Sequence, residues 1–151
     1  MKVINFMKRP IVTTSSQTPL PEVWQLIFKK HLHSIPVIDA SKKLVGIITK
    51  EDLLEKVFPD YNEMVPDFSD GEDSEEKAFD KLEKLRHVKA KDVMQTDIIF
   101  THPETNIMRA LSRMIVRRVR QLPVVDDQGK LIGLLAKGDI FDGLFKKKFS
   151  H

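Results

Sequence analysis

The chain has 151 residues, 41% hydrophobic and 31% charged, a composition typical of a soluble globular protein. It contains no cysteine, which excludes a disulfide framework, thiolate metal ligands and a cysteine nucleophile. The net charge of +3 is uneven, because residues 59–86 carry ten acidic and four basic side chains while the remainder is strongly basic. A basic body favours anionic partners, either small phosphates or nucleic acid. No apolar run approaches the roughly 20 residues that span a bilayer, so we expect a cytoplasmic protein outside membranes.

A tandem repeat in the sequence predicts two units of the same architecture. A shift of 87 residues places Met7 on Met94 and Asp52 on Asp139 without a gap. The copies share the pattern of GIITKED and GLLAKGD, in which a glycine, two apolar residues, a lysine and an aspartate recur at identical spacing. Each copy predicts the order strand, helix, strand, strand, helix.

The first half of each copy predicts a short strand followed by an amphipathic helix. The apolar segments IVTT and IIFT predict the strands. Apolar residues then recur at helical spacing over 20–28 and 107–115, which marks one buried face on each helix. Thr18 and Thr105 lie just upstream and are the expected N-caps.

The second half of each copy predicts a β-hairpin and a second helix. IPVID and LPVVDD are followed by a polar turn and by LVGIIT or LIGLLA, and a helix begins near Asp52 or Asp139. These strands have few polar positions, so we expect the two sheets to cover each other around a shared core.

An acidic insert separates the copies. Residues 59–71 predict a loop, and Asp73 is the expected cap of a helix, with Glu76 as its capping-box partner. The apolar stripe of that helix is Ala78, Phe79, Leu82 and Leu85. The predicted organisation is therefore a first unit at 1–58, a partly helical insert at 59–87 and a second unit at 88–151.

Both copies resemble a known family. HSIPVIDASKKLVGIITKEDLL and RQLPVVDDQGKLIGLLAKGDIF, each preceded by its strand and helix, are similar to tandem cystathionine beta-synthase (CBS) domains, the pair called a Bateman module. The resemblance is to stand-alone modules of the bacterial and archaeal type. It implies an α/β (α+β) fold with two pseudo-twofold-related β-α-β-β-α units packed through their sheets.

The resemblance also implies a function. Such modules are non-catalytic sensors that need no cofactor and bind AMP, ADP, ATP or S-adenosylmethionine as a regulatory ligand, with or without magnesium, in clefts between the units. They form homodimers and regulate a partner, which here would be a separate and unknown protein.

Three residues at the helix starts carry this resemblance to the ligand site. It implies that Asp52 and Asp139 accept hydrogen bonds from ribose hydroxyls and that Thr49 contacts phosphate. The second copy departs from the pattern, because Ala136 stands where the hydroxyl is expected. We therefore predict one full site and one altered site. A structural alternative stays open, since Thr49 and Asp52 also fit a capping box that needs no ligand.

The residues just before the proline of each hairpin are further candidates. The resemblance implies that His33 and Arg120 reach the phosphates, and arginine suits a phosphate geometrically. The alternative is a solvated helix end. The remaining ligand-site candidates are Ser34, Ile35, Pro36, Gln121, Leu122, Pro123, Ile11, Thr13, Ile98 and Phe100. For Ile11, Thr13, Ile98 and Phe100 the alternative is a core role.

Two other function classes stay open. One is a nucleic-acid-binding module that uses the basic body, although no stacking platform or reading helix is recognisable, so we do not expect it. The other is a ligand-free protein-interaction module, which Ala136 favours. We find no nucleophile with a base at useful spacing and no metal-binding set, so we expect neither catalysis nor a metal site.

Overall fold

A computed structural model describes residues 1–58 and 72–150, with only the backbone for residues 72–74. It is a mixed helix and strand fold with two sheets of two strands each in this part of the chain. The helices are α1 (Leu20–Lys29), α2 (Lys50–Val57), α3 (Glu72–Lys84), α4 (Ile107–Arg117) and α5 (Lys137–Phe149). The strands are β1 (Ser34–Ile38), β2 (Leu44–Thr49), β3 (Gln121–Val125) and β4 (Leu131–Ala136). The predicted order of helix, strand, strand, helix is confirmed in both copies.

The chain forms two compact units that exchange their first residues. One unit, here the Asp52 unit, contains Thr13–Val37 and Val45–Thr96. The other, the Asp139 unit, contains Met1–Val12, Ile38–Leu44 and Asp97–His151. Each unit has its own cluster of buried apolar side chains. The predicted boundaries and the packing of the sheets on each other stay predictions.

The exchanged segments, here called leaders, are residues 1–8 and 88–95. Each begins by supplying a backbone carbonyl to the first N–H of a helix: Leu20 N donates to Val88 O at 2.8 Å, and Ile107 N donates to Met1 O at 3.0 Å. These N–H groups have no partner within their own helices. The leader of each repeat copy therefore completes the helix of the unit that contains the other copy.

The glycine of the repeated motif makes room for the leader methionine. A Cβ at Gly133 would lie 2.7 Å from the sulfur of Met7, and a Cβ at Gly46 would overlap the Met94 thioether. A strand glycine often marks such a close approach. The glycine in GIITKED and GLLAKGD is therefore explained by packing.

The predicted first strands are reduced to single β-bridges. Thr14 pairs in parallel with Val37, and Thr101 pairs in parallel with Val124. Thr14 N donates to Pro36 O at 3.1 Å. Proline has no N–H to extend a ladder, so the bridge cannot lengthen past this residue. Pro123 has the same effect in the second copy.

Both predicted threonine caps are wrong. In α4 the N-cap is Asn106, whose side chain accepts from Met108 N. In α1 the N-cap position is Pro19, without a side-chain cap. Thr18 instead receives a hydrogen bond from Ser15 N at 3.3 Å. The leader carbonyls already satisfy part of the helix ends, so a hydroxyl cap is not required there.

The aspartates Asp39 and Asp126 shape the hairpin turns. Asp126 Oδ1 accepts from Gln128 N and Lys130 N at 2.9 Å each. Asp39 Oδ1 accepts from two backbone N–H groups in the same way. Short side chains that bind their own backbone are a common turn device. β3 and β4 are antiparallel, with Pro123 opposite Leu134.

The insert helix α3 begins at Glu72, so Asp73 lies inside it and the predicted cap position is wrong. The displacement is small, because helix ends fray and their bounds shift easily by a residue. Of the predicted apolar stripe, Leu85 is buried whereas Phe79 is 68% exposed. The loop predicted for residues 59–71 lies outside the described residues. In the described ranges, none of the helices combines the length and apolar character needed to cross a bilayer.

Candidate functional site

The paired strands of each hairpin bring the residue three positions before the hairpin proline, His33 or Arg120, to the start of the second helix. Lys50 N donates to His33 O, and Lys137 N donates to Arg120 O, both at 3.0 Å. The first N–H groups of a helix favour anions. These hydrogen bonds place the backbones of His33 and Arg120 at the starts of α2 and α5, the helices that carry the motif aspartates. Both residues are exposed.

In the Asp52 unit the helix start is a closed capping box. Thr49 Oγ1 accepts from Asp52 N at 3.1 Å, and Asp52 Oδ2 accepts from Thr49 N at 2.9 Å. The capping-box alternative from the sequence is therefore present, with aspartate in place of the usual glutamate or glutamine. Ligand contact by Thr49 stays a prediction.

A side chain that the sequence did not indicate also contacts Asp52. Gln95 Nε2 donates to both carboxylate oxygens, at 3.0 Å each. Gln95 lies in the second leader, which belongs to this unit. A contact between residues 43 positions apart leaves no local sequence pattern that could reveal it.

The corresponding helix start in the Asp139 unit is open. Ala136 is the N-cap and offers no side-chain cap. Lys8 Nζ lies 3.2 Å from Asp139 Oδ1, with the side chain of Asp139 24% exposed. Asp139 Oδ2 is buried and has no hydrogen-bond partner in the described part of the chain. Such an oxygen is a strong acceptor still in need of a donor.

The remaining predicted site residues divide between core and surface. Ile35 and Leu122 are fully buried in the two core clusters, so only their backbones could reach a ligand. Phe100 is 38% exposed, and its carbonyl accepts from Arg113 at 3.0 Å. Ser34, Pro36 and Pro123 are buried, while Ile11, Thr13, Ile98 and Gln121 are half-buried.

The described residues contain no group of three or more histidine, cysteine, aspartate or glutamate side chains placed to hold a metal ion. Two cationic residues lie at the Asp139 helix start besides Lys137 of the helix itself: Lys8, which pairs with Asp139, and Arg120, whose carbonyl accepts from Lys137 N. A carboxylate, an uncapped helix start and two cations together suit a ligand that has both hydroxyl donors and a negative charge.

Comparisons with known proteins show the family and the fold of the chain. The family model for the CBS domain matches the chain twice, at residues 3–58 and 90–146. The chain is similar to an uncharacterized protein of Methanocaldococcus jannaschii, 31% identical over 95% of this chain and 91% of that protein. It is also similar to a CBS domain-containing protein of Dictyostelium discoideum, 30% identical over 97% and 94% of the two chains.

A solved structure resembles the whole chain. The crystal structure of CBSX2 of Arabidopsis thaliana in complex with AMP has a TM-score of 0.75 and 27% sequence identity. The match covers 97% of this chain and 98% of that one. The likeness therefore extends over both repeat copies.

Proposed function

Since the chain belongs to the CBS domain family, we propose that it is a non-catalytic regulatory module that binds an adenosyl ligand. AMP, ADP, ATP and S-adenosylmethionine are the candidate ligands, with or without magnesium. Binding changes the arrangement of the module and so signals to a partner protein. A ligand can shift that equilibrium only by its difference in affinity for the two arrangements.

Asp139 is the observation that carries this proposal. Its buried Oδ2 lacks a donor in the described chain, and leaving such an atom unpaired costs about 1–3 kcal/mol. A ribose offers two hydroxyl donors to a carboxylate. A ligand whose binding moves the covering side chains aside therefore supplies a donor to an acceptor that the described chain leaves unpaired.

The AMP complex of CBSX2 supports the ligand class. That protein binds AMP and is similar to this chain over nearly its full length. The nucleotide phosphate of such a ligand is compatible with the two cations, Lys8 and Arg120, at the Asp139 helix start. The ligand panel described next distinguishes the candidate nucleotides from one another.

Thermal unfolding with a ligand panel tests the proposal. AMP, ADP, ATP, NAD and S-adenosylmethionine are each added with and without magnesium. A ligand at about 100 times its Kd stabilises the folded state by roughly 2.7 kcal/mol, which raises Tm clearly. The Asp139→Ala variant provides the control, because its shift at the same ligand concentration should be clearly smaller while the protein stays folded.

The alternatives give different results in the same assay. If no adenosyl ligand raises Tm, the proposal fails and the ligand-free interaction module gains support. Binding to RNA or DNA with a steep dependence on salt would instead favour the nucleic-acid module.

The proposal includes a homodimer, which we place on the exposed apolar side chains of α4 and α5. These helices contact each other, and Met108, Ile115, Phe141 and Phe145 are each more than half exposed. A large exposed apolar surface commonly marks an interface. The double variant Ile115→Glu with Phe141→Glu should sediment as a monomer, whereas Gln25→Glu, at an exposed position of α1, should remain a dimer. A monomeric wild type at micromolar concentration contradicts this assignment.

A further inference from the structure

Two equivalent leader residues contact the two motif aspartates. Lys8 and Gln95 each follow a leader methionine, and each pairs through its backbone with a strand residue, Lys8 with Leu134 and Gln95 with Ile47. The N–H to O distances are 2.9 and 3.2 Å in the first pair and 2.8 and 3.0 Å in the second. The main chain fixes both positions, so the type of side chain decides what each aspartate meets.

Gln95 and the backbone N–H of Thr49 together use most of the accepting capacity of Asp52. Its amide nitrogen donates to both oxygens, and Thr49 N donates to Oδ2 as well. A carboxylate oxygen accepts about two hydrogen bonds, so Oδ2 is already full. A ribose diol that donates to both oxygens must therefore displace the Gln95 amide.

Lys8 leaves one oxygen of Asp139 without a donor in the described chain. It approaches only Oδ1, and its side chain is 71% exposed. An exposed ion pair of this kind contributes little stability, so the ammonium can move aside easily. Because Oδ2 has no donor in the described chain, a diol can bind Asp139 without breaking a hydrogen bond to that oxygen.

The two helix starts also differ in charge. The Asp139 unit has Lys8 and Arg120 where the Asp52 unit has Gln95 and His33. When histidine is counted as neutral, the formal difference is two positive charges. A phosphate group is therefore attracted more strongly to the Asp139 helix start.

We propose that the residue after the leader methionine selects the ligand site: Gln95 closes Asp52 to a ribose diol, and Lys8 leaves Asp139 open and favours a phosphorylated ligand. The inference rests on the proposed function. It predicts one AMP site per chain, in the Asp139 unit. It also predicts that AMP binds more tightly than adenosine there, because adenosine lacks the phosphate.

Isothermal titration calorimetry with AMP and adenosine as probes tests the selection. Gln95→Lys should raise the AMP stoichiometry from one towards two per chain, since the amide no longer holds Asp52. Lys8→Gln should weaken AMP binding by about tenfold or more, because one charge-assisted contact is lost and the new amide can occupy Asp139. The matched controls are Gln25→Lys and Lys2→Gln, which make the same exchanges at exposed positions of the same two units.

The results separate the selection of one AMP site from the proposed function as an adenosyl-ligand sensor. Two AMP sites in the wild type, or an unchanged stoichiometry in a folded Gln95→Lys variant, overturns the selection while the proposed function stands. Gln95→Ala provides a second opening variant if the lysine at this position perturbs folding. Absence of binding by AMP and adenosine to the wild type overturns the selection, and the nucleotide panel then decides the proposed function separately.

Discussion

The helix starts at Asp52 and Asp139 have equivalent main-chain hydrogen bonds but different surrounding side chains. In both, the carbonyl of His33 or Arg120 accepts from the first helical N–H at 3.0 Å. A leader methionine also packs against the motif glycine in both. At Asp52, Thr49 and Gln95 supply donors to the carboxylate. At Asp139 the hydroxyl is missing and one oxygen is unpaired in the described chain.

This difference shows which contacts a duplicated fold needs and which can change. Main-chain hydrogen bonds and the glycine contact hold the leader and the helix in place in both units. The side chains around the carboxylate are not needed for that geometry, so they can diverge between copies. At one helix start the side chains form a capping box, and at the other one carboxylate oxygen has no donor in the described chain.

The largest expected effect is on ligand affinity when one aspartate is removed. Asp139→Ala should weaken AMP binding by about ten- to hundredfold, because hydrogen bonds to a charged group contribute about 1.5–3 kcal/mol. Asp52→Ala should leave the AMP affinity unchanged, although it opens the capping box. Calorimetry measures both variants, and circular dichroism checks that they are folded. A greater loss of AMP affinity in Asp52→Ala than in Asp139→Ala would place the ligand at Asp52 instead.

The shared glycines should respond in the same direction in both units. Gly46→Ala and Gly133→Ala should each lower the free energy of unfolding by about 1–3 kcal/mol, because the new methyl group collides with the leader methionine. Gly138→Ala is the control, since nothing lies within 4 Å of a Cβ there, and a helical alanine should stabilise by about 0.5–1 kcal/mol. Urea unfolding gives the three values. A neutral Gly46→Ala contradicts the close approach.

Exchanging the N-cap residues of the two copies tests the difference in capping between them. Thr49→Ala should cost about 1 kcal/mol of stability, because it removes the hydroxyl that accepts from Asp52 N. Ala136→Thr should stabilise by a similar or smaller amount, since it supplies the absent cap in the other copy. Both changes are measured by chemical denaturation. If Ala136→Thr destabilises, the two helix starts do not share one backbone geometry.

The smallest effect concerns a charge pair outside both helix starts. A hydrogen bond from Arg86 and its positive charge lower the pKa of Glu83. Arg86→Gln should raise that pKa towards its ordinary value, as an NMR titration would show. The contribution to stability exists above the ordinary pKa and disappears as pH falls through the lowered value, and it is small because both groups are exposed. The AMP affinity should not change.

Much of the fold could be predicted because its signals are local. The apolar periodicity over 20–28 and 107–115 predicted α1 and α4 within about two residues of their bounds. The alternation of short apolar runs and polar turns predicted both hairpins. The resemblance to CBS domains is confirmed by the two family matches.

The contacts between distant parts of the sequence could not be predicted. A leader has the same composition whichever unit it joins, so the exchange of leaders leaves no pattern in the sequence. The caps at Thr18 and Thr105 were wrong because backbone carbonyls of the leaders compete for the same N–H groups. The sequence favoured the first copy as the full site, since it has Thr49. Our proposal reverses this order because Gln95 satisfies Asp52.

A crystal structure of the protein with AMP shows directly whether the nucleotide binds at Asp139 or at Asp52. We expect the ribose hydroxyls to lie within hydrogen-bonding distance of Asp139, while Gln95 Nε2 still donates to the carboxylate of Asp52. A ribose bound to Asp52 with the Gln95 amide displaced, and no nucleotide at Asp139, would contradict it.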